Sequence, residues 1–157
     1  MEETHFTDMR KYEITNETHP NNKNLKRIRA MKDFANVKKG DLGGFIESEG
    51  NLCQKGDCWV SDNAKVYGNA RVFEDAWVSD NTEVYGNAVV YGNAWVYGDT
   101  TASGNARISG NAEVFGYAKV YGYAVVYGNA KVYANARVSG YAEVSGNAKV
   151  NGKAVVG

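Results

Sequence analysis

Two cysteines, Cys53 and Cys58, two histidines, His5 and His19, and eighteen glycines are the residues of this 157-residue chain whose types first suggest chemistry. Cysteines five apart raise metal ligation or thiol redox. In the alternating pattern described next, however, Cys58 takes an inward slot and Cys53 points outward, and neighbours on opposite faces make a poor ligand pair. Cys58 is expected to fill core. The glycines suggest a phosphate-cradling loop, yet they recur at a fixed spacing with no helix after them, so they read as turns. Both histidines precede the repeated part of the chain. No catalytic residue, metal site or cofactor is expected.

The element that must position everything else is a six-residue repeat. Positions 60, 66, 72 and onward to 156 are seventeen sites, of which fifteen are Val and the others Ala102 and Ile108. Two residues before each sits a small residue: Cys58, Thr82, Thr100, or Ala at the remaining fourteen. Two and three residues after lies a turn pair, usually Gly-Asn, as in Gly68-Asn69 and Gly128-Asn129. Ala-Lys-Val-Tyr alternates inward and outward, which is strand periodicity. Gly and Asn accept the left-handed backbone of a tight bend. Each unit is therefore one short strand plus one corner, and the units stack into a solenoid. Glycine at every sixth residue rules out a helix.

This pattern resembles the hexapeptide repeat, aliphatic-x-x-x-small-x, of the left-handed parallel β-helix. The resemblance covers roughly residues 42–157. It implies an all-β triangular solenoid with left-handed winding and eighteen residues per coil. The Tyr-rich "VYGNA" wording is similar to that of poorly characterised hexapeptide proteins of gut bacteria and their phages, often given the label acyltransferase. Enzymes of the family typically use a histidine base near a cleft between subunits, or three histidines on zinc. They also usually carry loops thrown out from a corner. Here the coils hold no histidine and no corner is expected to carry an insertion, so the resemblance is read as one of fold and not of activity.

Upstream, Leu42, Ile46 and Leu52 keep part of the spacing, with Gln54 where Val should be, so residues 42–57 read as an imperfect first coil. Residues 10–41 are expected to form a β-hairpin cap, from strand-like runs at Lys11–Thr15 and Leu25–Phe34 joined by THPNNKN. Such a cap would cover the open end of the solenoid. Residues 1–9 are expected to be a flexible lead-in. At the other end, NAKVNGKAVVG is still on register. An uncovered final coil is expected there, meeting a second copy end to end unless Lys149 and Lys153 blunt it.

Sorting outward residues eighteen apart separates three faces. One collects Trp59, Trp77 and Trp95, continued by Tyr97, Phe115 and Tyr133. Stacking between coils accounts for single files of Tyr, but three Trp in one file beside further aromatics point to an interface. A second face is mixed. The third offers Val89 and Val125 with Phe73, Tyr91 and Tyr127, interrupted by Arg71 and Arg107. In the cap, Lys23, Lys26, Arg27, Arg29, Lys32, Lys38 and Lys39 face only Asp33 within their stretch, a candidate landing site for an anionic partner such as RNA, DNA or an acidic protein.

Eighteen basic against eighteen acidic residues give no overall charge argument for nucleic acid. No apolar run approaches the roughly 20 residues that span a bilayer. The polar N-terminal residues lack the apolar core of a signal peptide, so a cytoplasmic protein, in a host cell if phage-encoded, is expected. The function expected is a non-enzymatic rigid binding or scaffold protein, a homo-oligomer with a protein or ribonucleoprotein partner. An inhibitor of a host defence complex is one concrete form. An acyltransferase with a site between subunits, or a virion structural element, are the rivals.

Overall fold

The computed structural model describes residues 10–157; His5 and the expected lead-in 1–9 lie outside the described residues. Three longer strands open the fold: β1 (Tyr12–His19), β2 (Asn22–Ala30) and β3 (Leu42–Ile46). After a short 3-10 turn at Glu49–Asn51, two-residue strands β4 to β20 follow every six residues, from Trp59–Val60 to Val155–Val156. No α-helix occurs among the described residues, and no helix there is long and apolar enough to cross a membrane.

The short strands pair in parallel with the strand eighteen residues on, as in Trp59↔Trp77↔Trp95 and Arg71↔Val89↔Arg107. Three sheets result, the sides of a triangular prism with nine, six and five strands. Inside, the Val and small slots stack coil on coil; Val60 through Val138 and most of the intervening alanines are fully buried. Between coils, backbone N–H groups donate to the carbonyl one coil along, and this reaches around the corners, as from Asn87 N to Gly104 O at 2.7 Å. Corner backbones approach so closely that a Cβ added at Gly98, where φ is +78°, would lie 2.9 Å from the amide nitrogen of Gly116. Space and backbone angle both demand glycine there.

The N-terminal hairpin is present, with its limits shifted. The strands run closer to the turn than the polar loop suggested, leaving only Pro20 and Asn21 between them, and β2 stops at Ala30 rather than Phe34. It pairs antiparallel with β3, through Lys26↔Ile46 and Arg27↔Phe45, so it extends one side of the prism. Its inward residues Tyr12, Ile28 and Ala30, with Val37 beyond, join the solenoid core.

The first coil corrects the sequence register. Ile46 pairs with Val66 and Leu52 with Val72, each twenty residues apart. Ile46 and Leu52 therefore occupy the aliphatic slots, and the corner that follows carries two extra residues before Cys58. Gln54 is thus in no aliphatic slot. Its side chain acts as a piece of strand edge: Oε1 accepts from Lys11 N at 2.8 Å and Tyr12 N at 3.1 Å, while Nε2 donates to Tyr12 O at 3.1 Å. The expectation that no corner is expanded fails at this one place, where the solenoid meets its cap.

Candidate binding face

The six-stranded side carries the aromatic file. Its outward positions alternate with buried Val60, Val78, Val96, Val114 and Val132: Trp77 and Trp95 share their two-residue strands with Val78 and Val96, and Tyr97, Phe115 and Tyr133 directly follow Val96, Val114 and Val132. Tyr97, Phe115 and Tyr133 stack face to face at 5.0 Å with nearly parallel rings. Asn151 extends the file by donating from Nδ2 to Tyr133 Oη at 2.9 Å. The Tyr97 hydroxyl donates to Glu113 Oε1 at 3.2 Å; burial first, then this carboxylate, pushes its pKa up. These rings serve as cross-coil stabilisers.

The tryptophans divide. Trp59 is only 2% exposed, its indole met edge-on by Phe34 at 5.2 Å and Tyr12 at 6.4 Å. It therefore leaves the candidate interface, because the cap lies over it and makes it core. Trp77 is half-buried, and Trp95 is 53% exposed with its ring edge-on to Tyr97 at 6.1 Å. Trp77, Trp95 and Tyr97 line a groove of about 320 Å³ together with Ser79 and Asn36. Asn36 comes from the segment between β2 and β3, so one wall of the groove is built by the cap. Face-sorting by eighteens brings out the three aromatics and Ser79; Asn36 carries no repeat signal and was not foreseen.

The basic cap residues do not form one free patch. Arg29 pairs with Glu13, its cross-strand neighbour, and Arg27 Nε donates to Glu17 Oε2 at 2.9 Å. Arg27 also donates from Nη1 to Gly43 O at 2.7 Å and lies 4.3 Å from the centre of the Phe45 ring, so it is structural. The counter-charges come from β1, outside the stretch in which the basic run was counted. Lys23, Lys26, Lys32, Lys38 and Lys39 are exposed, and the backbone N–H groups of Lys38 and Lys39 are tied to Asp41 and Asp33.

His19 ends β1, where Nδ1 accepts from Asn21 N at 3.1 Å and the ring meets Phe45 edge-on at 4.9 Å. Desolvation, then Lys65, lowers its pKa. Cys58 is buried and Cys53 partly exposed, as the alternation requires. No group of three or more metal-ligating side chains lies together among the described residues.

Residues 64–80 and 84–98 match the family described as the YdcK beta-solenoid repeat. Over those two segments the hexapeptide coils are similar to that repeat. Over 47 residues it is 45% identical to a protein of Escherichia coli (strain K12) named "Uncharacterized acetyltransferase YdcK", an alignment covering 29% of this chain. The same alignment spans 14% of that relative's length. The groove residues Trp77, Ser79, Trp95 and Tyr97 fall within the segments that match the repeat family.

Proposed function

We propose that this hexapeptide solenoid is a rigid binding protein without catalytic activity, and that its partners seat on the Trp77–Trp95–Tyr97 groove. The observation that carries the reading is Trp95: a large indole, more than half exposed, at the centre of a preformed aromatic groove on a rigid sheet. Tryptophan and tyrosine are enriched where proteins meet, and a rigid scaffold loses little entropy on binding. Phe115 and Tyr133 lengthen the surface on one side, and Asn36 and Ser79 give it polar edges. The chain itself is one partner in this reading, forming a homo-oligomer. A host defence complex is the other, chosen because the repeat wording is similar to that of phage and gut-bacterial proteins.

The test is a paired measurement on the wild type and the Trp77→Ser/Trp95→Ser variant. The variant should keep its β circular dichroism, lose oligomer mass in light scattering, and release partners retained by the wild type in quantitative pull-downs. Unchanged mass together with an unchanged partner set sinks the reading. A second reading, an acyltransferase with a site between subunits, is favoured by the name of the Escherichia coli relative. Acyl transfer from an acyl-CoA to any acceptor by the purified chain would establish it.

A further inference from the structure

We propose that Arg71 and Arg107, facing each other across Val89, form with Asn87 and Asn105 a binding site for the phosphate group of a small molecule. The site lies on the five-stranded side, away from Trp95, and stands independently of the reading above.

On the other two sides some cations have an acidic neighbour in the adjacent coil, as Lys65 lies 4.0 Å from Glu83 and Lys131 is in register with Glu113, while others adjoin a second cation, as Lys119 does Arg137. On the five-stranded side neither arginine has an acidic neighbour in register, and an aliphatic residue separates the two. The outward file there reads Arg71, Val89, Arg107, Val125, Glu143, so both arginines border the same aliphatic residue. Among the described residues neither arginine has a carboxylate within salt-bridge distance. The nearest acids along the chain are engaged elsewhere: Glu74 Oε1 accepts from Gly92 N at 2.9 Å, and Asp75 Oδ1 from Asp57 N at 3.0 Å.

The surface between them is concave. A depression of about 310 Å³ is lined by Arg71, Val89 and Arg107, walled by Phe73 and Tyr91 on one flank and by Asn87 and Asn105 on the other. Two strand spacings put the arginine backbones roughly 9–10 Å apart, within reach of two long side chains bending toward one ion over Val89. Phe73 stacks on Tyr91 at 4.9 Å, and the Arg71 guanidinium lies 5.1 Å from the Phe73 ring centre, which orients it. Asn69 Nδ2 donates to Asn87 Oδ1 at 3.2 Å, which leaves the Asn87 amide N–H groups as donors. Two guanidinium forks and carboxamide donors around a shallow pit match a tetrahedral oxyanion, since each fork can present two parallel N–H groups to phosphate oxygens. Tyr91 beside the pit offers a ring edge to whatever the phosphate is attached to.

Amide chemical shifts of Val89, Asn87 and Asn105 are followed while inorganic phosphate is added at pH 8 and constant ionic strength. Saturable shifts with a dissociation constant on the order of millimolar are expected for an exposed two-arginine site. Arg71→Gln and Arg107→Gln should each weaken binding at least fivefold, whereas Arg137→Gln, an exposed arginine on another side, should leave it unchanged. Val89→Glu places a carboxylate between the guanidiniums and should abolish binding in a folded protein. Shifts that never saturate, or equal weakening by Arg137→Gln, overturn the site. Phenyl phosphate separates the sources: tighter binding than inorganic phosphate marks an esterified phosphate as the ligand, and equal binding marks the free ion.

Discussion

The ammonium nitrogen of Lys11 sits 3.2 Å from the sulfur of Cys58, with both side chains wholly buried at the end of the prism. Lys11 Nζ also donates to Cys58 O at 2.7 Å and Gly56 O at 3.2 Å. Further along this side such carbonyls accept from the coil before, as Ala76 O does from Trp59 N; β4 is the first strand of the six-stranded side, and the lysine supplies the missing donor. Lys11→Met keeps the volume and removes the donor, so it should destabilise the protein by about 1–3 kcal/mol. Cys58→Ala puts into the slot the residue that most other coils carry there, and should cost less. Urea unfolding of both variants decides this, and the reverse order would mean that Lys11 is tolerated rather than needed.

Alkaline pH should weaken the same end. Burial raises the Cys58 thiol above its ordinary 9.0, against the opposing pull of Lys11. Burial, then Glu49, raises Tyr12, whose hydroxyl donates to Leu52 O at 2.6 Å. On the second side, burial and then Glu83 raise Tyr67, which donates to Glu83 Oε1 at 2.9 Å. For each group the unfolded chain gives up its proton at lower pH than the folded one. The stabilisation is therefore complete below about pH 9 and is lost as pH climbs through 9 and then 10 toward the folded values. Urea midpoints should fall between pH 8 and pH 10.5, and Tyr67→Phe should flatten the fall. Midpoints independent of pH over this range would contradict the burial of these groups.

Trp59 and Trp95 occupy equivalent places in the repeat and should behave as opposites. Trp59→Ala removes a buried indole and should cost about 3–5 kcal/mol, whereas Trp95→Ala should change stability by less than about 1 kcal/mol. Gly43→Ala probes the same joint from the other side. An added Cβ would lie 2.7 Å from Ile28 Cγ1 and from Trp59 Cζ2, and 2.6 Å from Val60 O. It should destabilise the cap, and thermal melts with acrylamide quenching of tryptophan fluorescence report whether Trp59 is uncovered. Equal losses for Trp59→Ala and Trp95→Ala would contradict the division.

Inward and outward positions of one strand repeat should differ as sharply. Val96→Asp buries an unpaired charge in the stack and should unfold several coils together, while Lys119→Asp, at an exposed position, should alter the melting temperature little. Comparable losses for the two would overturn the alternation.

The regular coils were legible in the sequence because one period carries strand, corner and core at once: Ala and Val inward, Gly-Asn at the bend. The groove was legible too, since counting by eighteens places Trp77, Trp95 and Tyr97 on one side. The first coil was not. Two extra residues after Leu52 move Gln54 out of the aliphatic slot, and no periodic count can find an insertion at the edge of its own window. Trp59 was misread for a related reason. Its file position is that of Trp77 and Trp95, and only the aperiodic cap, through Phe34 and Tyr12, decides that it is buried. Arg27 and Arg29 looked unbalanced because their acidic partners, Glu17 and Glu13, lie on the other arm of the hairpin and depend on its register.

The central claim, that the exposed tryptophan face is where this solenoid binds, is tested most directly by fluorine NMR of protein labelled with 5-fluorotryptophan. Its three resonances are assigned by Trp59→Phe, Trp77→Phe and Trp95→Phe. The spectrum is followed as the chain's own concentration rises and again in the partner complex recovered by pull-down. The Trp95 and Trp77 signals should shift and lose their response to a soluble paramagnetic agent on association, while Trp59, already covered, stays where it is. A Trp95 signal that remains fully accessible in the oligomer and in the complex would contradict the account.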